Sequence, residues 1–327
     1  MAGSPPFDPA SPGRQPHDDR EDPQRPLPDR IALSALTALV LTGCGAGGDG
    51  SGGGGSAEDT GTDAPIPAVA KDDRLAAMVP AEVRQDGTWV VGTDPTYPPN
   101  EFTAPDGTTI IGMEVDLGNA IAQKLGLTAK FEQSQFSGII PGITGGRYEA
   151  GISSFTINDE RTKVLDMVGY FSAGTSLATR KGNPDGIDPN DLCGKAVGVQ
   201  QGTVQVEDVQ ARTTKCTDEG KPAIQVTELQ AQTDVTLALN SNRIVAMLAD
   251  SPVAAYAQTT TNGAVEVVRQ PYDTAPYGVA LKKNDGQYAQ AVQGAVQSLI
   301  DDGTYTKILD KWNVANGAIA TSSINGG

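Results

Sequence analysis

From residue 88 onward the chain alternates short β-branched runs with longer stretches whose apolar residues recur at helical spacing, in two successive sets. The first set predicts a strand at Thr88–Thr93 and a helix through Met113–Leu125, with Val115, Leu117, Ile121, Ala122 and Leu125 on one face. It continues with a strand at 129–133, a helix at 137–144 and a strand at 150–154. The second set predicts strands at 195–200, 224–229, 244–250 and 265–270, with helices opening at Thr203, Ala231 and Ser251. A strand at 277–283 and helices at Gln287–Ile300 and Tyr305–Trp312 close the pattern. Strands separated by helices pair in parallel, because a parallel connection needs a crossover of that length. Two such units in one chain predict an α/β architecture of two lobes, each with a central mostly parallel sheet, and a cleft between them.

Charge and histidine content narrow the chemistry. The formal net charge of −16 repels phosphate backbones, so no nucleic-acid partner is expected. The single histidine, His17, falls in residues 1–30, where proline and charge dominate and no core can form. That extension is expected to be disordered if made at all, with translation starting downstream of Met1. The part that folds therefore lacks imidazole. This excludes a Ser-His-Asp triad, a Cys-His pair and a histidine-ligated metal there. No metal and no cofactor are expected.

Residues 31–43 form an apolar run too short to span a bilayer and suited to a signal peptide. Its end, Leu41-Thr42-Gly43-Cys44, resembles the lipobox of bacterial lipoproteins. That resemblance implies cleavage before Cys44 and a lipid on its sulfur; the other reading is a buried N-terminal helix ending at a free cysteine. Residues 1–43 are thus read as extension plus signal peptide. Residues 44–75 are read as a flexible tether whose Gly/Ser-rich portion of about 20 residues reaches roughly 25 Å. In an exported chain Cys193 and Cys216 read as an isolated disulfide, the alternative being two buried free thiols.

The segments GTDPTYPPNEF, GMEVDLGNAIAQKLGL, FSGIIPGITGGRYEAGISSFTINDER, GVQQGTVQ, MLADSPVAAY and APYGVAL follow one another in order. Together they closely resemble the amino-acid-binding members of solute-binding protein family 3, such as the histidine- and glutamine-binding proteins. The resemblance covers residues 88 to about 313 and leaves out the tail GAIATSSINGG. It implies the type II periplasmic-binding-protein-like fold. One lobe comprises 76–172 with 276–327, the other 173–275, and two hinge crossings run near Phe171–Thr175 and Asp273–Tyr277.

The resemblance also implies a ligand site. Arg161 grips the α-carboxylate, a role its forked guanidinium suits, unless it merely pairs with Asp159 or Glu160 on the surface. Thr156 adds a hydroxyl, and the Ser154 carbonyl accepts from the α-ammonium. Backbone N–H groups near Thr203 and Val204, at a helix N-terminus, meet the same carboxylate. Asp250 pairs with the α-ammonium, or serves only as the N-cap of the next helix. Tyr97 and Phe136 flank the ligand side chain, with core packing as the alternative for Phe136. Asp94 reads the end of that side chain. Gln135 and Gln200, expected to face the pocket, could pair with an amide, which puts glutamine slightly ahead of the basic amino acids.

The expected protein is an extracytoplasmic, lipid-anchored monomer on the cell membrane that hands a polar amino acid to the permease and ATPase subunits of an ABC importer. It is not expected to be an enzyme. Two alternatives share the scaffold. A sensory ectodomain would need a membrane span that no second apolar run supplies, and a dehydratase-like enzyme would need an unpaired acid or base.

Overall fold

A computed structural model describes residues 66–327 of the 327-residue chain. Residues 1–43 and Cys44, with the signal peptide and lipidation site read there, lie outside the described residues. Two short helices open the described part, α1 (Asp73–Met78) and α2 (Ala81–Arg84). Asp72 caps α1 by accepting from the N–H groups of Arg74 and Leu75, and Leu75 is buried. The expected tether therefore ends before residue 75.

The first lobe continues with β1 (Thr88–Thr93), the small antiparallel strands β2 (Thr96–Tyr97), β3 (Glu101–Thr103) and β4 (Ile110–Ile111), and α3 (Met113–Lys124). Then come β5 (Thr128–Gln133), α4 (Phe136–Thr144), β6 (Ala150–Gly151) and α5 (Asp159–Thr162). A long strand follows, β7 (Leu165–Arg180). The second lobe holds β8 (Ala196–Gln200), α6 (Val204–Asp218), β9 (Gln225–Leu229), α7 (Gln232–Asn240), β10 (Ala246–Asp250), α8 (Ser251–Thr260) and β11 (Val265–Val267). The long strand β12 (Tyr272–Lys282) returns to the first lobe, which α9 (Tyr288–Asp301) and α10 (Thr304–Lys311) complete.

The strands of the main sheet run β5-β1-β6-β12-β7-β10-β8-β9, with β11 beside β7. Parallel pairs link β5, β1 and β6 in one lobe and β10, β8 and β9 in the other. Every antiparallel pair of this sheet involves β7 or β12. These two strands are the crossings between lobes. Where they were expected, Phe171 pairs with Tyr277, Ser172 with Pro276 and Ala173 with Ala275, and the register slips on either side. Such irregular pairing is where a sheet bends most easily.

Each lobe has its own core. Trp89, Leu117, Ile121, Val292 and Val296 belong to the large one under α3 and α9. In the second lobe Val197, Val199 and Val209 pack on one side, and Val235, Leu239 and Ile244 form a separate cluster. The C-terminal tail adds to the first lobe. Ile324 bridges Val168, Gly169 donates to the Ser323 carbonyl at 2.8 Å, and the Ser322 hydroxyl donates to the Gly169 carbonyl at 2.7 Å.

Cys193 and Cys216 form a disulfide with Cα atoms 5.6 Å apart, joining the start of the second lobe to the end of α6. The two-thiol alternative is thereby set aside. Closing a loop of 23 residues stabilises a chain by about 3 kcal/mol if the gain is mainly unfolded-state entropy. The double variant Cys193→Ala/Cys216→Ala is expected to lose about that much in denaturant unfolding monitored by circular dichroism. A loss under about 1 kcal/mol would show that the crosslink constrains little.

Candidate functional site

The chain turns where parallel strands end, and in both lobes those turns face the same cleft. β1 ends at Thr93 and delivers Asp94, β6 delivers Ser153 and Ser154, β8 delivers Gln200, and β10 ends on Asp250. A cavity lies there, lined by residues of both lobes. All nine residues expected to bind ligand line it: Asp94, Tyr97, Phe136, Ser154, Thr156, Arg161, Thr203, Val204 and Asp250. Gln200 lines it too, and so do Glu101, Ser153 and Gln205, which the motif reading passed over. Gln205 follows Val204 in the first turn of α6, and Glu101 sits inside the PPNEF segment, so their proximity to named residues was the available signal.

Arg161 is buried at 8% exposure. Its guanidinium donates to the Thr156 carbonyl at 2.8 Å and, across the cleft, to the Gly202 carbonyl at 3.4 Å. It lies over the rings of Phe136 and Phe155, at 5.5 and 5.4 Å from their centroids. Among the described residues no carboxylate comes within 4.0 Å of it, so the surface pair with Asp159 or Glu160 does not form. Burial lowers its pKa, while the Asp250 carboxylate pulls in the opposite direction. Phe136 thus both packs in a core cluster and forms cavity wall.

The second lobe meets Arg161 with the N-terminus of α6. Thr203 is its N-cap, and no side chain caps the first turn. Gly202 has φ 81, and a Cβ there would sit 3.2 Å from that of Ser137 in the facing lobe, so glycine suits both the backbone and the approach. Asp250 occupies the N-cap position of α8 but makes no capping bond. Its Oδ1 accepts from Gln205 Nε2 at 2.7 Å, and the Tyr97 and Tyr277 hydroxyls face it. Its pKa is raised, first by burial.

The remaining carboxyls line another part of the cavity. Asp94 Oδ2 accepts from the Phe136 N–H and from Gln200 Nε2, both at 2.9 Å. Burial again raises its pKa, against these hydrogen bonds. Glu101 is 1% exposed; its Oε1 accepts from the Ser153 hydroxyl at 2.7 Å, and its Oε2 has no donor. Behind it lies Glu114, fully buried. Burial and then the Glu114 charge push Glu101 well above the usual carboxylate range, so the pair can share one proton, with Glu101 donating.

The lobes also touch directly. Gln200 reaches Asp94, Gln135 Nε2 donates to Gln230 Oε1 at 2.7 Å, the Gln232 N–H donates to Thr96 Oγ1 at 3.2 Å, and the Asp250 N–H donates to the Tyr97 hydroxyl at 3.2 Å. Both glutamines expected to read an amide are thus engaged with the protein. The arrangement brings a buried guanidinium and the start of α6 to one part of the cavity, and the carboxyls of Asp250, Asp94 and Glu101 to others. It offers no imidazole or thiol nucleophile among the cavity residues.

The profile of the bacterial extracellular solute-binding proteins, family 3, matches residues 89–315. The arginine-binding protein ArgT of Corynebacterium glutamicum is 36% identical over 252 residues, covering 77% of this chain and 82% of that protein. A solved ancestral arginine-binding protein bound to arginine is 35% identical with a TM-score of 0.64, over 69% of this chain and 98% of that one. An ancestral amino-acid-binding protein described as a precursor of cyclohexadienyl dehydratase is 32% identical with a TM-score of 0.61, over 71% and 97%. With this fold, this cleft and a profile match over most of its length, the chain belongs to family 3 of the bacterial extracellular solute-binding proteins.

Proposed function

We propose that the protein is the extracytoplasmic receptor of an ABC importer and that it binds a basic amino acid, arginine being the first candidate. The observation that carries this reading is Arg161, a buried guanidinium on the cavity wall with no carboxylate of the described chain to pair with. An α-carboxylate would supply the missing charge bidentately, with the N–H groups at Thr203 and Val204 adding to it. The α-ammonium would pair with Asp250 and the Ser154 carbonyl, Thr156 would donate to the carboxylate, and Tyr97 and Phe136 would flank the side chain. Asp94 and Glu101 favour a cation at the far end: two buried carboxyls on the cavity wall, backed by Glu114, suit a guanidinium better than an amide. The arginine-binding relatives support the same choice.

In this reading residues 76–172 with 276–327 and residues 173–275 move as two bodies about β7 and β12. The shared carboxylate stabilises their closure, and the closed form is delivered to the permease. The protein acts as a monomer, held at the outer face of the cell membrane by lipid on Cys44. The chain binds its ligand and does not convert it, although one relative is described as the precursor of a dehydratase. Arginine recovered intact after prolonged incubation supports this; a new product would make Glu101 a candidate acid.

Three outcomes are expected. Arg161→Ala and Asp250→Ala each weaken arginine binding by about 2–5 kcal/mol, roughly 30- to 4,000-fold, in calorimetry, with the fold retained by circular dichroism. Normal binding by both variants would overturn the site. Competition calorimetry ranks arginine above glutamine and glutamine far above glutamate, since a ligand carboxylate is repelled by Asp94 and by the negative charge that Glu101 and Glu114 share; glutamate binding tightest would overturn the side-chain assignment.

The third outcome concerns pH without ligand. Glu101 has a raised pKa when folded and an ordinary one when unfolded, so its contribution is full below the unfolded value and is lost as pH rises towards the folded one. Over that window the loss is about 1.4 kcal/mol per pH unit. Glu101→Gln is therefore expected to gain stability over wild type between pH 5 and pH 7 in denaturant unfolding, while binding arginine more weakly. A pH-independent difference would contradict the burial of an ionisable Glu101.

A further inference from the structure

We infer that Glu114 is a positioning residue for the cleft: buried behind the cavity wall, it holds Ser154 in a left-handed backbone conformation and so aims the Ser154 carbonyl at the ligand's α-ammonium. The inference rests on the amino-acid-binding reading above, and it concerns a residue that forms no part of the cavity lining.

The starting observation is conformational. Eight non-glycine residues among those described have positive φ. Seven are Asn or Asp, namely Asn183, Asn242, Asn262, Asp273, Asn284, Asn313 and Asn325, which tolerate that region. The eighth is Ser154, at φ 53. A serine pays for this geometry unless its surroundings impose it, and such outliers cluster where a backbone group must be aimed.

The surroundings that impose it are specific. The Ser154 N–H donates to both Glu114 oxygens at 3.0 Å, and the Ser154 hydroxyl donates to Oε1 at 2.8 Å. The Tyr170 hydroxyl donates to the same Oε1 at 2.5 Å, and Asn100 Nδ2 donates to the Ser154 hydroxyl at 2.8 Å. One carboxylate therefore grips both the backbone and the side chain of Ser154. Glu114 is itself fixed: it stands in the first turn of α3, and its N–H donates to the Asn100 carbonyl at 2.9 Å. The turn before it needs Gly112, at φ 141, where a Cβ would lie 2.1 Å from the Asn100 carbonyl oxygen.

With its N–H and hydroxyl held by Glu114, Ser154 keeps its carbonyl oxygen for other use. Among the described residues that oxygen accepts no hydrogen bond. Ser154 lines the cavity while Glu114 is fully buried. The neighbouring residue is tied differently: the Ser153 hydroxyl accepts from the Asp94 N–H at 3.1 Å and donates to Glu101. Two adjacent serines thus connect a pair of buried acids to the two ends of the site. Glu101 faces the cavity and acts on the ligand side chain, and Glu114, behind the wall, reaches the α-ammonium end through Ser154.

An amide at position 114 would present an NH2 group to the Ser154 N–H, donor against donor, and would release the left-handed turn. The test compares L-arginine with des-amino arginine, which has hydrogen in place of the α-ammonium, by calorimetry on the full chain. The wild type is expected to prefer arginine. In Glu114→Gln that preference should shrink roughly 10- to 100-fold, the scale of one hydrogen bond to a charged group, while any effect passed through Glu101 to the guanidinium falls on both ligands alike and leaves the ratio untouched. Adding Ser154→Gly, whose backbone adopts positive φ without help, should restore part of the preference.

If Glu114→Gln weakens both ligands equally, or neither, Glu114 is a structural residue and the inference fails. If the wild type itself does not prefer arginine, the amino-acid-binding reading fails, and this inference with it. Should Glu114→Gln not fold, Tyr170→Phe removes one bond to the same oxygen at constant volume. It is then expected to reduce the preference about threefold, and an unchanged preference would equally overturn the role.

Discussion

A cation buried with no carboxylate in contact must be stabilised by something, and the cleft of this protein is organised round that requirement. Arg161 is almost fully buried, and its described partners are two backbone carbonyls and two aromatic faces. Carbonyl dipoles and ring quadrupoles lessen the cost of removing a guanidinium from water but do not replace a full negative charge. One of those carbonyls, Gly202, belongs to the opposite lobe. The residue that needs an anion is thus also one that joins the two halves, and an anion placed there would act on the closure itself.

The acids of the site carry the complementary strain. Asp94, Glu101, Glu114 and Asp250 are all buried, and burial leads the causes raising each of their pKa values. None forms an ion pair with a described Lys or Arg within 4.0 Å. A protein selected for stability alone would gain by replacing such groups with apolar ones. Their retention round one cavity fits a site completed by the charges of its ligand. The two lobes are built to sustain that cost, with separate apolar cores and a disulfide across the second lobe.

Much of this was legible in the sequence, for identifiable reasons. The alternation of β-branched runs and helical patterns predicted the two parallel units, since both periodicities are local. The nine residues carried over from the family motifs meet at one cavity because the motifs sit at strand ends, where chain turns converge. β7 was not legible: its sequence, LDMVGYFSAGTSLATR, is buried on both faces for most of its length, so it shows neither a period of two nor a helical one. Only the tertiary position of the crossing strands gives it an inside on both sides. Glu114 was equally hidden, because a glutamate in the first turn of a helix reads as a partner of the helix dipole. Its real contacts come from Ser154, 40 positions away. Gln200 does line the cavity, but nothing local could show that it and Gln135 each have a partner across the cleft.

The central claim is that one amino acid completes this cleft, carboxylate to Arg161, ammonium to Asp250 and side-chain cation towards Asp94 and Glu101. A crystal structure of the protein grown with L-arginine tests it most directly. The account predicts ligand density in the cavity with the carboxylate forked on the Arg161 guanidinium and the guanidinium of the ligand among the carboxyls. Arginine bound the other way round, or bound outside the cavity with Arg161 unpaired, would contradict it.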